Sequence, residues 1–139
     1  MKTTFAYMSA SILAFFAPVA GIMIAIGAFI ALDTLLGVMA AQKIGEKIES
    51  RKLSKVVWKM LMYQAVTISF FIMDVHIVGD LLGTLINTPY VLTKTVGVAL
   101  IAIEFKSIDE NIEKMTGTTL LKRLYDLIAK GKDIASKIK

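Results

Sequence analysis

The sequence predicts an all-α integral membrane protein with about three transmembrane helices, a short N-terminal membrane-associated helix and an amphipathic C-terminal helix. The first observation behind this is the run Val19–Ala41, VAGIMIAIGAFIALDTLLGVMAA, in which Asp33 is the one ionisable group. At about 1.5 Å per helical residue, such a run covers roughly the 30 Å hydrocarbon core of a bilayer. The second is composition: the chain is 56% hydrophobic with a mean hydropathy of +0.69, more apolar surface than a soluble fold of 139 residues can hide. The third is that the cations gather between and after the apolar runs, as they do in membrane loops.

The chain opens with MKTT and the apolar run Phe5–Ala17, which Pro18 closes. As a helix this run is about 20 Å long, too short to cross a bilayer alone. Lys2 and the apolar stretch fit the outline of a secretory signal, a reading that the segments downstream disfavour. An interfacial helix, a half-span and a first crossing in a hairpin with Val19–Ala41 are the alternatives. The expectation is a short helix at or dipping into the membrane, kinked at Pro18 against the next one. Ala17, Gly21 and Ala25 then recur at four-residue spacing, and Gly37 follows Asp33 by four. Small residues so spaced allow close helix contact in an oligomer, although Gly and Ala are also common in membrane helices that make none.

The segment Gln42–Lys55, QKIGEKIESRKLSK, carries Lys43, Lys47, Arg51, Lys52 and Lys55 against Glu46 and Glu49. Such an excess beside a span marks the cytoplasmic side. A second crossing, Val56–Gly79, runs outward from it, with Trp58 and Tyr63 near the starting interface and Lys59 able to snorkel back. Asp74 and His76 lie near its far end, two residues apart and so on different sides of a helix. Asp80–Lys94 is a turn region with the Gly79/Gly83 pair, Asn87, Pro89 and the single cation Lys94, which places it outside. The third apolar run, Tyr90–Phe105, is interrupted by Lys94 and ended by Glu104. It covers about 24 Å and reaches across with tilt, bringing the cation-rich tail back to the cytoplasm. A membrane-embedded part, 1–113, is thereby divided from a basic tail, 114–139. In that tail Leu120, Leu124, Leu127, Gly131, Ile134 and Ile138 step by three and four, with Thr118 or Thr119 as N-cap. This helix either lies on anionic lipid, packs in a helical oligomer or stands in solvent.

Several function classes are disfavoured. With no Cys and only His76 there is no disulfide framework and no His-rich metal cage, so no metal and no cofactor is expected. No nucleophile–base constellation and no Gly-rich phosphate loop is present, and the chain is not expected to be an enzyme. The net charge of +5 is placed as an orientation signal, and nucleic acid is not an expected partner.

Three pieces, in order, resemble the bacteriophage holin family, the toxin-secretion/phage-lysis type. Leu32-Asp33-Thr34-Leu35-Leu36-Gly37-Val38 is similar to its Asp-x-x-x-Gly run at the end of a span. Ser50-Arg51-Lys52-Leu53-Ser54-Lys55 is similar to its basic loop, and Glu104-Phe105-Lys106-Ser107-Ile108-Asp109-Glu110-Asn111-Ile112 to its Glu-x-x-Ser-Ile-x-Glu-Asn element. The third piece, with Glu104, Ser107, Ile108, Glu110 and Asn111, is the most specific; together the pieces cover roughly Ile30–Glu113.

The resemblance implies a phage protein that accumulates in the bacterial inner membrane, multi-pass with its C-terminus cytoplasmic. It also implies self-association and lesions through which an endolysin or other cargo passes. Membrane lipid, further copies of the chain and that cargo are the implied partners. Asp33, Asp74 and Glu104 offer polar points on three helices, and Lys59 and Lys94 are placed to pair with them in an intramembrane polar layer or to snorkel to the interfaces. Two other classes fit the same residues: an ion- or proton-conducting subunit, and a structural anchor that docks a partner through its tail.

Overall fold

The computed structural model describes residues 2–47, 50–82 and 88–137, and every element among them is helical. They are α1 (Lys2–Lys43), α2 (Ser50–Met73), a π-helical turn (Asp74–Val78), α3 (Gly79–Leu82), α4 (Val91–Thr116) and α5 (Leu120–Lys137). Among the described residues two helical stretches, Thr3–Lys43 and Ser54–Leu81, are long and apolar enough to cross a membrane. Only 11% and 17% of their most apolar windows are buried inside the chain. A core helix of a soluble bundle hides most of such a window, so these apolar surfaces need a non-aqueous surrounding.

The expected short N-terminal helix is not a separate element, because α1 runs unbroken through Pro18. Proline removes one amide donor from the ladder, a loss that leaves one carbonyl unpaired and does not by itself end a helix whose flanks are all apolar helix-compatible residues. At 42 residues α1 is about 63 Å long, twice a hydrocarbon core.

The chain divides into two compact units: Met1–Ala28 with Val57–Ile101, and Phe29–Val56 with Ala102–Lys139. In the first, α2 runs antiparallel to α1: Met60 and Gln64 lie by Gly27, Gln64 Nε2 donates to the Met23 carbonyl at 3.0 Å, and Phe71 packs on Phe15 and Phe16. The start of α4 runs parallel to α1, with Tyr90 against Phe71 and Gly97 against Ile22. Val19, Ile26 and Phe71 form the apolar core of this unit, and Thr67 and Thr93 are buried among them. Thr67 satisfies its hydroxyl on the Tyr63 carbonyl one turn back, at 2.8 Å.

In the second unit the end of α1 also runs parallel to α4, since Asp33 and Gly37 meet Asn111 while Lys43 Nζ donates to the Met115 carbonyl. Ile30, Ala40, Ala41 and Ile108 are its buried apolar residues. Gly117, at φ +75°, reverses the chain after α4, and its amide donates back to the Glu113 carbonyl at 2.7 Å.

Among the described glycines the tightest site is Gly97, where an added Cβ would stand 2.6 Å from Ile22 Cγ2. A β-branched neighbour cannot swing that methyl away, so Gly97→Ala should lower stability by about 1–3 kcal/mol in denaturant titrations of micelle-bound protein. Adding Ile22→Ala to the same chain should recover part of the loss. Equal stability of Gly97→Ala and the parent would contradict this packing.

Candidate functional site

Asp33 and Gly37 share a face of α1 because they are four residues apart, and Glu104, Ile108 and Asn111 share a face of α4 at steps of four and three. The structure brings these two faces together. Asn111 Nδ2 donates to the Asp33 carboxylate at 3.0 Å and lies 3.5 Å from the Asp33 carbonyl oxygen. Its side chain rests where Gly37 has no Cβ; an added one would stand 3.4 Å from Asn111 Nδ2. Asn111 thus packs on the α1 surface at Gly37 at ordinary contact distance and reaches the carboxylate one turn earlier. On the same face of α4, Glu104 and Ile108 are buried, while Ser107 is half-buried. Glu110 is exposed and pairs loosely with Lys106 at 3.9 Å, a solvated pair of small energetic weight.

A cavity of about 260 Å³ opens beside the Asp33–Asn111 contact, lined by Thr34, Val38, Glu46 and Lys114 as well as the two polar partners. It has room for several waters. The contact therefore joins an apolar core at Ile108 to a hydratable inlet with charges of both signs.

The first unit holds a second polar joint. Asp74 is 4% exposed, and its carboxylate accepts from the Thr93 amide at 2.7 Å, the Thr93 hydroxyl at 2.6 Å and the Leu92 amide at 3.2 Å. These amides belong to the first turn of α4, whose donors have no intrahelical acceptor, so Asp74 caps α4 from a different helix. The π-helical turn starts at Asp74, and its extra residue per turn is what re-aims this side chain; Gly79 closes the turn, with space for a Cβ limited to 3.1 Å from the Asp74 carbonyl. Tyr90, just before α4, adopts φ +56°, a conformation that costs a bulky residue about 1–3 kcal/mol. Its ring, 5.3 Å from that of Phe71, and the capped turn after it hold it there.

The other expected residues are distributed as follows. Lys59 lies 5.9 Å over the Tyr63 ring, Lys94 is exposed, and His76 is exposed while Asp74 is buried. Ala17 and Gly21 are exposed, Ala25 is half-buried, and nothing in the chain approaches the Gly21 Cβ position. Gly79 faces its own helix, and Gly83 lies outside the described residues. Sequence reasoning passed over Gly97, Thr93 and Gln64; the four-residue spacing of Thr93 and Gly97 is the same small-residue signal that was read in α1. Among the described residues no group of three or more His, Cys, Asp or Glu is placed to hold a metal ion.

A sequence profile described as the bacteriophage holin family matches residues 10–133. The comparisons with curated proteins and with solved structures gave no significant match.

Removing the trans cap should be costly. Asp74→Ala leaves two amides and a hydroxyl without their acceptor and should destabilise by about 1–3 kcal/mol, whereas Thr93→Val loses one bond and less. Because both act on one network, the double variant should fall short of the sum. Additive losses in a double-mutant cycle would show that Asp74 does not act through Thr93.

Proposed function

This chain belongs to the bacteriophage holin family, and from that premise we propose that it opens lesions in a bacterial cytoplasmic membrane through which an endolysin or other cargo crosses. The family is not one of enzymes, and the apolar, largely unburied α1 and α2 suit a membrane protein. In this reading α4, about 39 Å long, is a third crossing between α2 and the tail. Residues 1–113 are then the membrane part and 114–139 a cytoplasmic tail. The parallel course of α1 and α4 supports this arrangement, because two parallel spans end on one side, the side where the Gln42–Lys55 cations and the tail cations would be cytoplasmic.

The observation that carries the reading is that the motif residues Asp33 and Gly37 meet Asn111 of the other motif across two helices. A carboxylate–amide contact in an apolar helix pair can exchange partners between copies, and doing so costs little because each donor and acceptor is again satisfied. Ala17 and Gly21, open on α1, and the half-buried Ala25 offer the surface for the first contact between copies. Once copies accumulate, Asp33 and Glu104, with Lys59 and Lys94, line water or pair between subunits, joined by Asp74 where its cap on α4 opens, a polar layer that no single copy needs to complete.

Induced expression in bacteria tests this, with a potential-sensitive dye and a co-expressed peptidoglycan hydrolase as readouts. The parent chain should collapse the membrane potential and then release the hydrolase. Asp33→Leu, which relieves a few kcal/mol of insertion cost but loses the contact to Asn111, should delay or abolish both events; Asp33→Asn should be milder, and Glu104→Gln tests α4. In the same cells a membrane-impermeant thiol reagent should label Thr88→Cys and spare Ser54→Cys in intact protoplasts. If the parent causes neither event, the lesion reading fails and a membrane anchor replaces it; if all three variants keep the parent's schedule, the polar layer is wrong.

A further inference from the structure

We propose that α5 is a lipid-surface helix that docks, apolar face down, on an anionic bilayer leaflet beside the spans. Four of the chain's five net positive charges fall in Thr118–Lys139, where six Lys and Arg stand against two Asp. Within α5 the apolar residues Leu120, Leu121, Leu124, Leu127 and Ile128 occupy one face by their three- and four-residue steps. Beyond the half-buried Leu120 that face is open: Leu121, Leu124, Leu127 and Ile128 are each more than half exposed, as is Tyr125 at its edge. Along one border, seven residues apart, run Arg123 and Lys130, while Asp126 projects from the side away from the apolar face. An apolar face bordered by cations, with its acid turned away, matches apolar acyl chains below anionic headgroups.

The start of the helix is built to hold it near the end of α4. Gly117 turns the chain, Thr119 Oγ1 accepts from the Lys122 amide, and Asp109 of α4 accepts from the Leu120 amide at 2.5 Å. Arg123 Nε donates to Thr118 Oγ1 at 2.8 Å, which leaves its terminal guanidinium nitrogens to reach a lipid phosphate. A second copy of α5 is the competing cover for the same face. The border cations favour lipid, because two such helices face to face would bring their Arg123 and Lys130 rows together.

The proposal rests on the membrane reading above only in needing the full chain to insert. The chain has no cysteine, so single nitroxide labels can be attached to Leu124→Cys, Leu127→Cys or Asp126→Cys in the otherwise complete protein. Each is reconstituted into phosphatidylcholine vesicles with and without phosphatidylglycerol, and collision rates with oxygen and with a water-soluble nickel chelate are measured. Failure to float with the vesicles would indict insertion, not the tail. In anionic vesicles the labels at 124 and 127 should favour oxygen over the chelate about tenfold more than the label at 126. The contrast should shrink several-fold without phosphatidylglycerol or with Arg123→Gln and Lys130→Gln together. Three results would overturn the proposal: a label at 124 as open to the chelate as that at 126, a burial independent of anionic lipid, or dipolar broadening between copies that signals helix-on-helix packing.

Discussion

A carboxylate on an apolar helix has to be given a polar partner or water, and the specific packing of this chain follows from how its acids are placed. Asp33 is met by Asn111, packed against Gly37, and this pair of side chains fixes how α1 and α4 meet in their unit. Asp74 is met by the first turn of α4, and there the constraint acts twice, because two of the three hydrogen bonds that satisfy the acid also satisfy amides that a helix start leaves open. Apolar contact alone would leave these helices free to slide, since lipid tails are as good a neighbour for a leucine as another leucine is. Polar joints and close glycine contacts remove that freedom.

If the chain forms lesions as proposed, the same arrangement would suit a protein quiet as a monomer and active in numbers. A joint worth roughly 1 kcal/mol in a membrane holds one copy together, yet is weak enough to be traded for an equivalent contact with a neighbour. In that proposal the exposed small residues on α1 would serve as a surface for association, and the hydratable inlet at Asp33 as a place where water can enter. Family membership supplies the direction of this argument, and the inlet, the joint and the uncovered apolar helices are the parts on which a lesion would draw.

How much of this the sequence disclosed depends on the range of each interaction. The apolar runs that became α1 and α2 were plain, because hydropathy is summed over twenty residues and tolerates local error. Pro18 misled, since the penalty of one missing donor looks decisive locally but is small beside forty residues of continuous helix. Asp33 and Asn111 were each singled out by motif, while their contact was not, as nothing in a single sequence aligns residues 78 apart. The role of Asp74 was invisible for a related reason: an acid near a span end reads as an interfacial group until a π-turn points it at the start of another helix. Gly97 was legible in principle through its spacing from Thr93, and the interruption at Lys94 drew the reading elsewhere. The amphipathic period of α5 was clear because a helix whose apolar face is largely exposed keeps its pattern uncompromised by packing.

The most direct test of the polar joint is solid-state NMR of the protein in bilayers, with aspartate carrying carbon-13 and asparagine nitrogen-15. A correlation between the Asp33 carboxyl carbon and Asn111 Nδ2, matching the 3.0 Å hydrogen bond, is expected in chains that carry both labels. It should persist when those chains are diluted into unlabelled protein, as a contact within one copy must. Loss of the correlation on dilution, or its absence from the start, would contradict the account, because Asp33 would then be satisfied by another copy or by water and the α1–α4 pairing would need a different cause.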